Sequence, residues 1–184
     1  MKAIRLIITG LVLITGISAK AQDKFFTKSG KISFFSDAPM EKIEAVNKSV
    51  SCVLDTKSGA LQFVVLMKGF EFKKALMQEH FNENYVESDK FPKATFKGQV
   101  VNNSAINYTK DGTYDAVVKG KLNIHGEEKD IETKGSITVS NGKISAASVF
   151  SVPVSDYKIG IPALMKEKIA EKVQITVSCP MSAL

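Results

Sequence analysis

Between residues 93 and 154 apolar and polar side chains alternate with period two almost without a break, and two glycine turns cut the run into hairpins. Ala94, Phe96, Gly98 and Val100 share one face. After a loop at Asn102-Asn103 the pattern returns through Tyr114, Ala116, Val118, Gly120, Leu122 and Ile124. It continues through Ile131, Thr133, Gly135, Ile137 and Val139, and again through Ile144, Ala146, Ser148, Phe150, Val152 and Val154. Successive strand residues point to opposite faces, so such a run specifies strands with one buried side. His125-Gly126 and Asn141-Gly142 stand where the chain must reverse, and glycine there supplies the positive φ of a tight hairpin. Links this short make antiparallel neighbours. An antiparallel sheet of this length must protect its edges, and closing into a barrel removes them.

The amino-terminal half reads the same way until residue 73. Ile32 and Phe34 alternate in residues 31–36, and Val50, Cys52 and Leu54 in residues 40–55. The turn Thr56-Lys57-Ser58-Gly59 leads to residues 60–68, where Leu61, Phe63, Val65 and Met67 share a face. Val64 and Leu66 make the opposite face apolar too, as in a strand covered on both sides. Over residues 73–84 the period changes: Leu76, Met77, His80, Phe81 and Asn84 fall at helical spacing, with lysines and glutamates opposite. An amphipathic helix is predicted there, ending before the Phe91-Pro92 corner, because proline disfavours helix in the residue before it. A helical turn over residues 163–170 precedes a last strand, 172–179. The expected fold is mainly β: about eight antiparallel strands in a barrel, with one α-helix between strands three and four.

Two features leave alternatives open. Gly98, Ala116, Gly120, Gly135, Ala146 and Ser148 face the same way as large apolar residues. They either make room for neighbouring side chains or leave a lumen, and an eight-stranded barrel is of the size that permits both. His80, inside the apolar stripe of the helix, is either a buried histidine with satisfied ring nitrogens or a polar contact at the end of a ligand pocket.

Composition narrows the function classes. The chain opens with Lys2 and Arg5, an apolar run over residues 6–17 and Ala19-Lys20-Ala21, the order of a secretory signal peptide cleaved after Ala21. The run is shorter than the ~20 residues of a membrane span, and Gln22 offers no thiol for lipid attachment, so a soluble periplasmic or secreted protein without a stable membrane anchor is expected. The single domain is residues 22–184. Removing the leader leaves 22 basic against 19 acidic residues, a net of +3, with Arg5, the sole arginine, gone. Scattered lysines without arginine are a poor reader of phosphate or base edges, which argues against nucleic acid. With His80 and His125 as the only histidines, a three-histidine metal site is impossible, and no H-E-x-x-H, C-x-x-C, G-x-S-x-G or phosphate loop occurs. No metal, cofactor or catalytic residue is expected. His125-Gly126-Glu127-Glu128 is read as a turn whose groups point to solvent. Cys52 and Cys179 are either a disulfide, permitted in an exported protein, or two buried thiols behaving as small apolar residues.

Three stretches, HFNENYVESDKFPKATFKG (80–98), GKLNIHGEEKDI (120–131) and FSVPVSDYKIGIP (150–162), resemble in order and spacing the signatures of the YceI-like family of exported lipid-binding proteins. The resemblance rests on Phe91-Pro92, Leu122, His125, Gly126, Phe150, Asp156, Tyr157 and Ile159. Val154 and Lys158 depart from it, standing where many members have arginine and glycine, and the histidine-leucine pair of the family's opening strands is missing. It implies a lipocalin-like barrel enclosing an apolar cavity for a polyisoprenoid, an isoprenoid quinone or a fatty acyl chain. The expected lining is Phe63, Val65, Met67, Leu76, Met77, Phe81, Phe96, Val118, Leu122 and Phe150, with His80 and Tyr157 as polar contacts at a cavity end. An exported lipid carrier is the first reading. Its rivals are an envelope stress or interaction protein with a filled barrel, and a lipid-modifying enzyme. A homodimer is left open.

Overall fold

The computed structural model describes residues 23–184; the predicted leader lies outside the described residues. The strands are β1 (Lys24–Asp37), β2 (Lys42–Asp55), β3 (Ala60–Leu66), β4 (Phe70–Phe72), β5 (Lys93–Val100), β6 (Gly112–Ile124), β7 (Glu127–Ser140), β8 (Lys143–Pro153) and β9 (Lys172–Ala183). One antiparallel sheet runs β1-β9-β8-β7-β6-β5-β3-β2, and β1 pairs with β2 to close it as an eight-stranded barrel. The predicted fold class is the observed one. The first and last strands are longer than the alternation alone indicates, because both join the seam that closes the barrel.

β4 was not legible as a strand. It pairs with Ala45–Asn47 of β2, continuing the line of β3 after a 3-10 turn at Met67–Gly69. The break is held by Asn47, fully buried, whose Nδ2 donates to the Leu66 carbonyl at 2.8 Å and whose Oδ1 accepts from the Ser49 N–H at 2.9 Å. Gly69 lies against that amide so closely that a Cβ would sit 2.7 Å from Nδ2. The break redirects the chain from the barrel wall to its rim.

The predicted helix over 73–84 is a shorter α1 (Ala75–His80) that widens into a π turn at Phe81–Tyr85, where the Val86 N–H donates to the Phe81 carbonyl at 3.0 Å. It has no buried residue in its α-helical part, because it overhangs the end of the barrel instead of lying on its outer face. The predicted turn over 163–170 is a 3-10 turn at Ala163–Met165.

The two ends of the barrel differ. At the far end, Leu54, Val100, Val139, Ile144 and Met181 are buried together. The β2–β3 turn there is capped by Asp55, whose Oδ1 accepts from the Lys57 and Ser58 N–H groups at 3.0 Å. Asn103 Nδ2 donates to the Thr56 carbonyl at 2.8 Å and Tyr108 donates to Asn103 Oδ1 at 2.7 Å, tying the β5–β6 loop over the base. The near end is roofed by α1 and the segment between β8 and β9.

Candidate functional site: an apolar cavity beneath the helix

The barrel is not filled. It holds a cavity of about 540 Å³, within the ~300–1,000 Å³ range of pockets that take a small organic ligand. Ala116 on β6 and Ala146 and Ser148 on β8 face it, so these small residues leave a lumen, whereas a Cβ on Gly135 of β7 would lie 2.4 Å from the Ala147 carbonyl oxygen, so that glycine permits the close approach of β8. Gly98 and Gly120 behave otherwise. They are directly opposed in the β5–β6 ladder, and a Cβ on them would lie 2.4 and 2.8 Å from the Phe96 ring, which folds over both. The two readings of the small residues are both realised, at different points of the barrel wall.

Phe63, Val65, Met67, Phe96, Val118, Leu122 and Phe150 line the barrel wall of the cavity, and Leu76, Met77, His80 and Phe81 line its roof. Phe81 is held in place by a cluster of rings whose members Phe34, Phe70 and Phe72 are not in the expected lining, although Phe34 is read from sequence as a residue of an alternating strand face. Its centroid lies 5.4, 5.7 and 5.1 Å from theirs. Each such pair contributes about 0.5–1.5 kcal/mol beyond area burial. Phe70 and Phe72 belong to the unrecognised β4, and their signal is the alternation in Phe70-Glu71-Phe72. On β6 the lining runs from Ala116 to Ile124, about 26 Å along the strand at ~3.3 Å per residue. With the usual barrel tilt of about 40° this is a depth of about 20 Å.

His80 is exposed, not buried, and stands at the cavity mouth. The stripe that contains it faces the cavity opening, where Met77 and Phe81 are half-buried and His80 is exposed. Around the same mouth stand Leu76, 60% exposed, and Lys74, whose Nζ pairs with Glu41 Oε1 at 3.2 Å. Met165, Lys168 and Ile169 line the facing side, beside Leu164, which is 92% exposed. Val154, at the position where the resemblance expects arginine, also lines the cavity.

Tyr157 is not among the lining residues. It is 2% exposed, and burial, with the Asp156 carboxylate nearby, pushes its phenol up to about 12. Its carbonyl accepts from His125 Nδ1 at 3.0 Å, and Nε2 of the same ring meets Glu87 Oε2 at 2.8 Å. The expectation of a solvent-facing turn at His125 is therefore corrected: its side chain is 10% exposed. Since a carbonyl accepts only, Nδ1 carries hydrogen, and the contact with Glu87 is a charge-assisted hydrogen bond when the ring is imidazolium. Phe91 completes the arrangement with its centroid 4.5 Å from the imidazole. A Cβ on Gly126, at φ 78°, would strike that ring at 2.6 Å. The His125 ring thus fastens the helix exit, the β6–β7 hairpin and the segment after β8 to one another, and these are the three stretches on which the family resemblance rests. Lys158 has φ 54°, a left-handed conformation that explains a glycine preference there, and its Nζ reaches Glu127 Oε1 at 2.7 Å. That lysine holds the Glu127 carboxyl below the usual carboxylate range.

The family model for the YceI-like domain matches residues 12–181, nearly the whole chain. The chain belongs to the YceI-like family. Solved structures with similar folds include a polyisoprenoid binding domain from Saccharophagus degradans implicated in plant cell wall breakdown. That domain is 15% identical, with a TM-score of 0.77 over 89% of this chain and 100% of its own. BcnA of Burkholderia cenocepacia is 18% identical, with a TM-score of 0.67 over 83% of this chain and 96% of its own. The Campylobacter jejuni YCEI protein is 16% identical, with a TM-score of 0.54 over 98% and 97%. No curated protein matches this YceI-like chain in sequence.

Proposed function

We propose that this YceI-like protein is a carrier that holds one long-chain amphiphile, of the polyisoprenoid, isoprenoid quinone or fatty acyl class, with its tail in the barrel and its head at the mouth. The observation that carries this reading is the 540 Å³ apolar cavity enclosed by a closed barrel. The similarly folded Saccharophagus protein is a polyisoprenoid binding domain, which supports the same class of ligand. The leader-like start supports a periplasmic or secreted site of action, where a water-insoluble tail needs a carrier between membranes.

The physical chemistry is simple. At about 1.2 Å per bond of an extended chain, a depth of about 20 Å takes roughly 16 bonds. Each buried methylene contributes about 0.8 kcal/mol, a gross gain on the order of 13 kcal/mol that is reduced by ordering the chain and by lost translational freedom. At the mouth, His80, Lys168 and the Lys74–Glu41 pair supply polar contacts for a head group. A filled-barrel interaction protein fits this lumen less well, since an empty apolar space of this size forfeits packing that a protein without a ligand would retain.

The test is mass spectrometry of an organic extract from protein purified out of its own envelope. One lipid per chain is expected. Repeated absence of lipid, together with failure to take up prenyl or acyl lipids from vesicles, would overturn the proposal, and release of an altered lipid would favour an enzyme instead.

A further inference from the structure

We propose that Cys52 and Cys179 are the two ends of a disulfide that staples the seam of the barrel when the chain folds in an oxidising compartment. The structure shows both as free thiols, fully buried at the closed end. Cys52 is on β2 and Cys179 on β9, and β1 lies between these strands, paired with both. In a regular sheet, two strands separated by a third are nearly 10 Å apart, beyond the ~7 Å between Cα atoms that a disulfide tolerates. β1 is irregular at this point. Its pairing with β9 lapses between Phe26 and Lys31, and its register against β2 shifts between Thr27, Gly30 and Ile32. Thr27 Oγ1 accepts from the Ser29 N–H at 3.1 Å inside the irregularity and holds its shape. Cα atoms of β2 and β9 come within 8 Å of each other.

Gly30 makes the approach possible. A Cβ there would lie 2.6 Å from Cys179 Sγ and 3.3 Å from Val50 Cβ, two residues along β2 from Cys52. The missing side chain is therefore the space the Cys179 sulfur uses, over the strand that separates it from β2. The Cys52 thiol donates to Met181 Sδ at 3.6 Å, which sets Cys52 beside β9 two residues along from Cys179.

With a small disulfide such as oxidised glutathione as oxidant, the thiolate of either cysteine attacks one of its sulfurs and expels a glutathione thiolate. The other cysteine, on losing its proton, then attacks the protein sulfur of the mixed disulfide and expels the second. Two protein thiols are oxidised and one disulfide is reduced to two thiols. Because both sulfurs are buried in the folded barrel, the exchange belongs to the folding chain, before β1 closes over them.

The test is oxidative refolding of the full chain with oxidised glutathione, followed by thiol titration in denaturant and peptide mapping without reductant. The expected result is a monomer with no free thiol and a Cys52–Cys179 linked peptide, melting about 10 °C higher than the reduced chain and losing that gain on reduction. A folded chain that still titrates two thiols would overturn the proposal, as would two separate glutathione adducts or a covalent dimer. The Cys179→Ala chain, treated identically, is expected to retain Cys52 without the rise in melting temperature; an equal rise in that variant would also overturn it.

Discussion

The two ends of the barrel are built from the same strands and do opposite things. At the closed end Ile144, Val139 and Met181 interlock beneath a hydrogen-bonded loop, so each side chain there is worth its full burial. At the open end Leu76, Leu164 and Met40 are exposed, and the backbone is held by local devices: the Asn47 amide, the His125 ring, the Ser36 Oγ that accepts from the Ala170 N–H at 2.9 Å, and the Met40 N–H on the Glu167 carbonyl at 2.8 Å. Packing stabilises the first end. Hydrogen bonds shape the second, which leaves its apolar surface available to a ligand.

That contrast can be attacked most strongly at its base. Ile144→Ala is expected to lower unfolding free energy by about 4 kcal/mol in urea titration, as for other fully buried aliphatic truncations. A loss below about 1 kcal/mol would mean that the closed end is not close-packed. Asn47→Ala should cost about 2 kcal/mol, because it leaves the Leu66 carbonyl and the Ser49 N–H without their partner; its signature is faster amide exchange confined to β4 and α1.

Filling the lumen separates binding from folding. Ala146→Phe places a ring in the cavity and is expected to weaken lipid binding at least tenfold, about 1.4 kcal/mol, in a chain that still melts cooperatively. Unchanged lipid uptake by that folded variant would place the ligand elsewhere. Lys158→Gly relieves a left-handed non-glycine residue at the open end and should stabilise by about 0.5 kcal/mol, read as a small rise in melting temperature. Leu76→Ser is expected to change stability by less than about 0.5 kcal/mol while slowing lipid uptake from vesicles several-fold.

A pH titration reads both ends at once, since Tyr108 sits over the closed end and Tyr157 below the open one. Burial pushes both phenols up to about 12. An unfolded chain ionises them near 10, so their contribution is intact below about pH 10 and stability falls as pH rises from about 10 to 12. Absorbance at the phenolate band should show these two tyrosines ionising with the unfolding transition.

The strands, their faces and the hairpins at Gly126 and Asn141-Gly142 were legible because the period-two signal is local and one face of each strand is buried. Most of the lining was legible for the same reason: an inward-facing residue of a closed barrel faces the lumen or the core, and its parity shows which way it points. β4 was not legible, since three residues are too few to declare a period, and the Asn47 amide that positions it is nineteen residues from its acceptor.

His125 shows the limit most clearly. The sequence alone determined a mainly β chain with a turn at His125-Gly126 and a helical segment before Phe91-Pro92. Whether Gly98 and Ala116 made room for a ring or for a lumen was decided by tertiary structure, as was the placing of His80 at the mouth and His125 inside. So was the meeting of Cys52 with Cys179 behind Gly30. The reason is physical: alternation records which face a residue is on, whereas the space in front of that face is set by barrel closure and by side chains from strands far away in the chain.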